Sequence, residues 1–98
     1  MGSSLKSTQF LIDSRMLDAA RGDPEAYYEL GVVYSTGASG AIIDLIEAHK
    51  WFNLAAVRGH QAAQCCRAEV ADEMTAREIA EAQTRARAWL SETTRRAA

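Results

Sequence analysis

One proline, two cysteines standing side by side and no long apolar run are conspicuous shortages in a chain of 98 residues. A bilayer-spanning helix needs roughly 20 consecutive apolar residues, and no stretch approaches that, so no membrane partner is expected. Cys65 and Cys66 are adjacent, which rules out the cysteine framework of a small secreted domain. The N-terminus, MGSSLKSTQFLIDSR, has no uninterrupted apolar segment and no cleavage site of the signal-peptide kind. Lys6 stands where a myristoylation signal wants Ser or Thr. The cytoplasm is therefore the expected compartment. Catalysis also lacks its usual markers: no glycine-rich phosphate loop follows a strand, and neither a nucleophile elbow nor an HExxH is present. No catalytic residue, no cofactor and no metal site is expected, and the chain is read as non-enzymatic.

What remains is abundant Ala, Glu and Arg, with 48% apolar and 24% charged residues, the balance of an ordinary globular domain. Such a composition favours helix, and no hairpin signal competes with it. Residues 1–98 are read as one all-α domain of about five helices. The first runs from about Thr8 to Arg21, with an imperfect stripe of Phe10, Leu11, Met16, Leu17, Ala19 and Ala20, and Gly22 ends it. Asp23-Pro24 is an N-cap followed by proline at the first helical position, so a second helix begins there and continues to about Ser35. Tyr27, Leu30, Gly31 and Tyr34 share one face of it. Gly31 is unfavourable inside a helix by about 1 kcal/mol against Ala, which predicts a close approach by another helix.

The third helix is DLIEAHKWFNLAAVRG, residues 44–59, and the rest of the chain is organised around it. Asp44 and Glu47 form a capping-box-like pair at its start and Gly59 closes it. Trp51 and Phe52 stand among Ala48, Ala55 and Ala56, so that a neighbour can come close while the rings fill the gaps. A fourth helix begins near His60. Thr75 and Glu78 form a second capping box opening a fifth helix to about Thr93, with the stripe Ile79, Ala82, Ala86, Trp89, Leu90. Trp51, Phe52, Trp89, Leu30 and Tyr34 are the predicted core.

Internal similarity is present at a nearly constant offset. Leu17, Ala19, Arg21, Gly22 and Ala26 recur 37 residues later as Leu54, Ala56, Arg58, Gly59 and Ala63, and Ala48-x-x-Trp51 recurs after 38 as Ala86-x-x-Trp89. Such periods mark stacked helix pairs, each burying a face that one pair alone could not.

Ala26, Leu30-Gly31-x-x-Tyr34-x-x-Gly37, Gly40, Asp44, Ala48-x-x-Trp51 and Ala55-Ala56-x-x-Gly59 together resemble the Sel1-like repeat, a relative of the tetratricopeptide repeat. The match spans residues 22–59. Residues 8–21 resemble half a repeat, and residues 60–93 a degenerate closing one that lacks the Leu-Gly-x-x-Tyr signature. The whole chain is similar to short, stand-alone Sel1-like proteins of alphaproteobacteria. That resemblance implies antiparallel helix pairs in a short α/α right-handed superhelix, with a role in protein–protein interaction or scaffolding and no particular partner.

In related repeats the first helix of each pair lines the concave side. This would place Tyr28, Val32 and Ser35 in a groove for an unidentified protein or peptide, although Tyr28 could instead pack on the preceding helix. Ile42, Ile43, Leu45 and Ile46 crowd one helix start, and no single helical face can bury all four. Ile42, Ile43 and Ile46 are candidates for a contact with a partner or a second copy in a homodimer. A metal at Cys65, Cys66 and His60 is not expected: helical neighbours point about 100° apart, a fourth ligand is missing, and buried small side chains account better for the cysteines. The charge is uneven, with six basic and ten acidic residues in 1–74 but five arginines and three glutamates in 75–98. The arginines of the last helix alternate with glutamates, so a solvated, ion-paired face is expected there rather than a nucleic-acid surface. A regulator associated with nucleic acid through that helix is the remaining alternative.

Overall fold

Every helix of this chain starts or stops on a residue that satisfies the backbone groups a helix end leaves free. A computed structural model describes the backbone of residues 3–97 and the side chains of residues 7–96. Met1, Gly2 and the Lys6 side chain, on which part of the targeting argument rests, lie outside the described residues. Five α-helices follow one another: α1 (Ser3–Ala20), α2 (Pro24–Thr36), α3 (Leu45–Val57), α4 (Gln61–Ala71) and α5 (Ala76–Ala97), with a 3-10 turn at Ala38–Gly40. The described residues contain no strand, and none of their helices is long and apolar enough to cross a membrane.

The Asp23 carboxylate accepts from the Glu25 N–H at 3.0 Å and caps α2. At the end of α1 the Gly22 N–H donates to the Ala19 carbonyl and the Asp23 N–H to that of Asp18; at the end of α3 Gly59 donates to Ala56 and His60 to Ala55. Both endings are Schellman motifs, with Gly22 at φ +82° and Gly59 at φ +90° in the left-handed region. The recurrence at 37 residues is thus a recurrence of one helix-ending device. Thr75 and Glu78 form the full reciprocal box, at 3.1 and 2.8 Å. At α3 only half the expected box exists. Asp44 accepts from the Glu47 N–H, but the Glu47 carboxylate turns to Lys50 and to Arg85 of α5.

Helix α1 begins earlier than its sequence signals, at Ser3, and α5 runs on to Ala97. The stripe expected on α1 holds at Met16 and Ala19 but not at Phe10, Leu17 or Ala20. Its inner face is Thr8, Ile12, Met16 and Ala19, whereas Phe10 and Leu17 are 76% and 70% exposed. Buried Thr8 is tolerated there because its hydroxyl donates to the Ser39 carbonyl.

Helix α3 is the hub, packed on α2, α4 and α5. It runs antiparallel to α2: Asp44 lies beside Tyr34 at one end, and Trp51 stacks on Tyr27 (centroids 5.9 Å apart) further along. Toward α5 it runs parallel, since Glu47 meets Arg85 and Trp51 meets Trp89 edge-on at 4.9 Å. Helix α5 is thus laid along α3 rather than closely against α4. Leu30, Trp51 and Phe52 are buried as expected; Tyr34 and Trp89 are half-buried and pack against that core.

Candidate interaction surface

Residues 28, 32 and 35 lie on one side of α2, and the turn after α3 swings α4 round to face them. Between the two helices runs a groove of ≈ 380 Å³. Tyr28, Val32 and Ser35 form one wall, Cys66, Val70 and Glu73 the other, and Phe52 with Leu45 the floor. Each residue of the second wall stands 38 places after its counterpart in the first. The sequence reading found one wall only. The offset already visible between Ala48 and Ala86 would have supplied the other.

Tyr28 is the fixed point of this groove. Its ring stacks on His60 (centroids 4.4 Å apart) and leans on Phe52 at 5.9 Å. His60 is itself held twice. Its Nδ1 accepts from the Ala63 N–H at 3.2 Å, capping α4, while Nε2 lies 2.9 Å from a Glu25 carboxylate oxygen. The charge of a Cys66 thiolate beside it, with burial second, raises the Tyr28 phenol above its usual pKa. Ser35 has less to offer a ligand, because its hydroxyl donates back to the Val32 carbonyl at 3.2 Å. Tyr28 and Val32 also border a second depression of ≈ 300 Å³ between α1 and α2, so they form a ridge between two hollows.

The isoleucines do not join this groove. Ile42 and Ile43 precede α3, outside any helix, and are 87% and 57% exposed, while Ile46, on the helix, is half-buried. Ile42 sits at the edge of a separate depression of ≈ 410 Å³ with Ile12, Tyr34 and Ala41. The six residues singled out in the sequence therefore do not share one surface, and Ile46 is less exposed than Ile42 and Ile43.

Cys65 is exposed and Cys66 half-buried, so the expectation of two buried small side chains fails for the first: α4 turns Cys65 away from α3. Burial, then the Glu69 carboxylate, raises the Cys66 pKa and keeps it a poorly nucleophilic thiol. Among the described residues no three His, Cys, Asp or Glu side chains converge as a metal site would require. On α5, Arg85 is engaged by Glu47 and Glu81, and Arg96 by Glu92.

Compared with known protein families, with curated proteins and with solved structures, the chain finds no match.

Proposed function

We propose that this chain is a non-enzymatic protein–protein interaction module of the Sel1-like kind, its helix pairs stacked as a short α/α right-handed superhelix that binds through the groove between α2 and α4. One observation carries this reading. The two groove walls, Tyr28–Val32–Ser35 and Cys66–Val70–Glu73, stand 38 residues apart, the spacing that equivalent positions of successive repeats would have. The contacts between Glu47 and Arg85 and between Trp51 and Trp89, on the opposite layer, keep that same offset. A groove formed by repetition needs no ordering when a ligand arrives. Tyr28 is already clamped between His60 and Phe52, so little side-chain freedom remains to be lost on binding.

The test is affinity capture from a nuclease-treated bacterial lysate with the full chain, beside Tyr28→Ala and the gentler Val32→Thr. A protein retained by the wild type and lost with both variants supports the module. Equal retention by all three baits, or retention of nothing except further bait, counts against it.

A second reading has its own observation. Ile42, 87% exposed beside exposed Ile43, is an apolar surface that a second copy could cover in a homo-oligomeric structural protein. Under this reading the wild type sediments above its monomer mass and Ile42→Glu restores the monomer. A monomeric wild type removes it.

A further inference from the structure

Eight glutamates occur in the chain, and six have a hydrogen-bond or ion-pair partner. Glu25 faces His60, Glu29 pairs with Arg15, Glu47 and Glu81 share Arg85, Glu78 caps α5, and Glu92 holds Arg96. The two without such a partner among the described residues are Glu69 and Glu73, and both line the α2–α4 groove. Glu69 stands in the last turn of α4 and Glu73 just past its end, in the turn that follows. The C-terminal end of a helix already carries partial negative charge, and two unpaired carboxylates, one in its last turn and one just past it, add to it. No lysine or arginine is among the residues lining the groove. Beneath the carboxylates lie Tyr28, Val32, Phe52 and Val70, an apolar bed with no charge of its own.

We infer that the groove receives a cationic peptide segment of a partner protein: one large apolar side chain rests on Tyr28, Val32 and Val70, and flanking lysines or arginines reach Glu69 and Glu73. This rests on reading the α2–α4 groove as the binding surface, and it adds the chemistry of what is bound. A cation placed there meets two carboxylates beside the negative end of α4, and none of the residues lining the groove supplies one. The apolar bed supplies contact area; the carboxylates supply orientation and selectivity against acidic segments.

The experiment is selection of a phage-displayed peptide library on the full chain at low salt, followed by fluorescence anisotropy with the selected peptides synthesised. Selected sequences are expected to carry Lys or Arg around Leu, Ile or Phe. The double variant E69Q/E73Q is expected to bind them about tenfold more weakly, and the wild-type affinity to fall as salt is raised. Both positions are exposed, so E69Q/E73Q is expected to unfold no more easily than the wild type. Charge reversal, E69K/E73K, should turn the selection toward Asp and Glu.

Peptides with no basic enrichment, bound equally by wild type and E69Q/E73Q but lost with Tyr28→Ala or Val32→Thr, would overturn the cationic inference and leave the groove standing. Peptides indifferent to all of these variants, or no selected peptide at all, would overturn the groove and the inference together. Self-association abolished by E69Q/E73Q, with no peptide selected, would identify the occupant as a second copy and also overturn the inference.

Discussion

Gly31 and Phe52 occupy one space: a Cβ built on Gly31 would lie 2.5 Å from two carbons of the Phe52 ring. Gly31 sits in ordinary helical backbone, so its neighbour, not its own conformation, requires glycine here. Alanine would recover about 1 kcal/mol of helix propensity. Phe52 is 1% exposed and has no room to yield, and overpacking a closed core costs about 1–3 kcal/mol. Gly31→Ala is therefore expected to destabilise by up to about 2 kcal/mol, read from the urea midpoint at unchanged slope. A higher midpoint would show that α2 and α3 can move apart at this crossing.

The close approach at Gly31 was legible in the sequence because it is a local exception to helix propensity. The caps at Asp23 and Thr75 and the glycine endings were legible for the same reason, since each depends on residues within one turn. The inner face of α1 was legible only at Met16 and Ala19. Phe10 and Leu17 look like core residues and Thr8 does not, yet Thr8 is buried with its hydroxyl satisfied by the Ser39 carbonyl, a partner 31 residues away, while Phe10 and Leu17 are exposed. Glu47 misled similarly: it stands where a capping box wants it, but Arg85, far along the chain, takes the carboxylate. Half of the groove was hidden because α4 lacks the Leu-Gly-x-x-Tyr signature, although Cys66, Val70 and Glu73 hold the expected spacing.

Helix α5 packs chiefly on α3, and Trp89 is its main apolar anchor. The indole meets Trp51 edge-on at 4.9 Å and its N–H donates to the Tyr27 hydroxyl at 3.4 Å. Trp89→Ala is expected to cost about 3 kcal/mol, near the low end for aromatic deletions because the ring is half-buried. Hydrogen exchange should then be fastest in α5, with α2 and α3 more slowly affected. Uniform loss of protection across all helices would mean that α5 cannot loosen separately.

His60 begins α4 with a ring nitrogen where Ser, Thr, Asp or Asn usually stand. His60→Ala removes the acceptor for the Ala63 N–H, the contact with Glu25 and the stack on Tyr28. His60→Asn removes the last two and keeps a capping oxygen. The difference in unfolding free energy between the two variants isolates the cap, and it is expected to be about 1 kcal/mol in favour of Asn. Equal stabilities would mean that the cap adds nothing beyond what water supplies.

His49 gives the fold a pH dependence whose sign follows from its surroundings. It lies on α3, 4% exposed, with its Nδ1 buried and lacking a hydrogen-bond partner among the described residues. Burial lowers its pKa below the usual imidazole value, and the charge of Arg67 on α4 lowers it further. The unfolded chain takes up a proton near the usual value, whereas the folded chain resists until a lower pH. Between those two values the unfolded state binds more protons, so stability falls as the pH falls. Above the usual imidazole pKa the effect is absent, and below the folded-state pKa it levels off. Carboxylates also titrate on the acid side, so the His49 contribution is the part that His49→Leu abolishes. Urea midpoints measured at about pH 7.5 and about pH 5.5 are expected to fall less in His49→Leu than in the wild type. An identical fall in both chains would mean that His49 is hydrated as well when folded as when unfolded, and that α3 and α4 are not sealed over it.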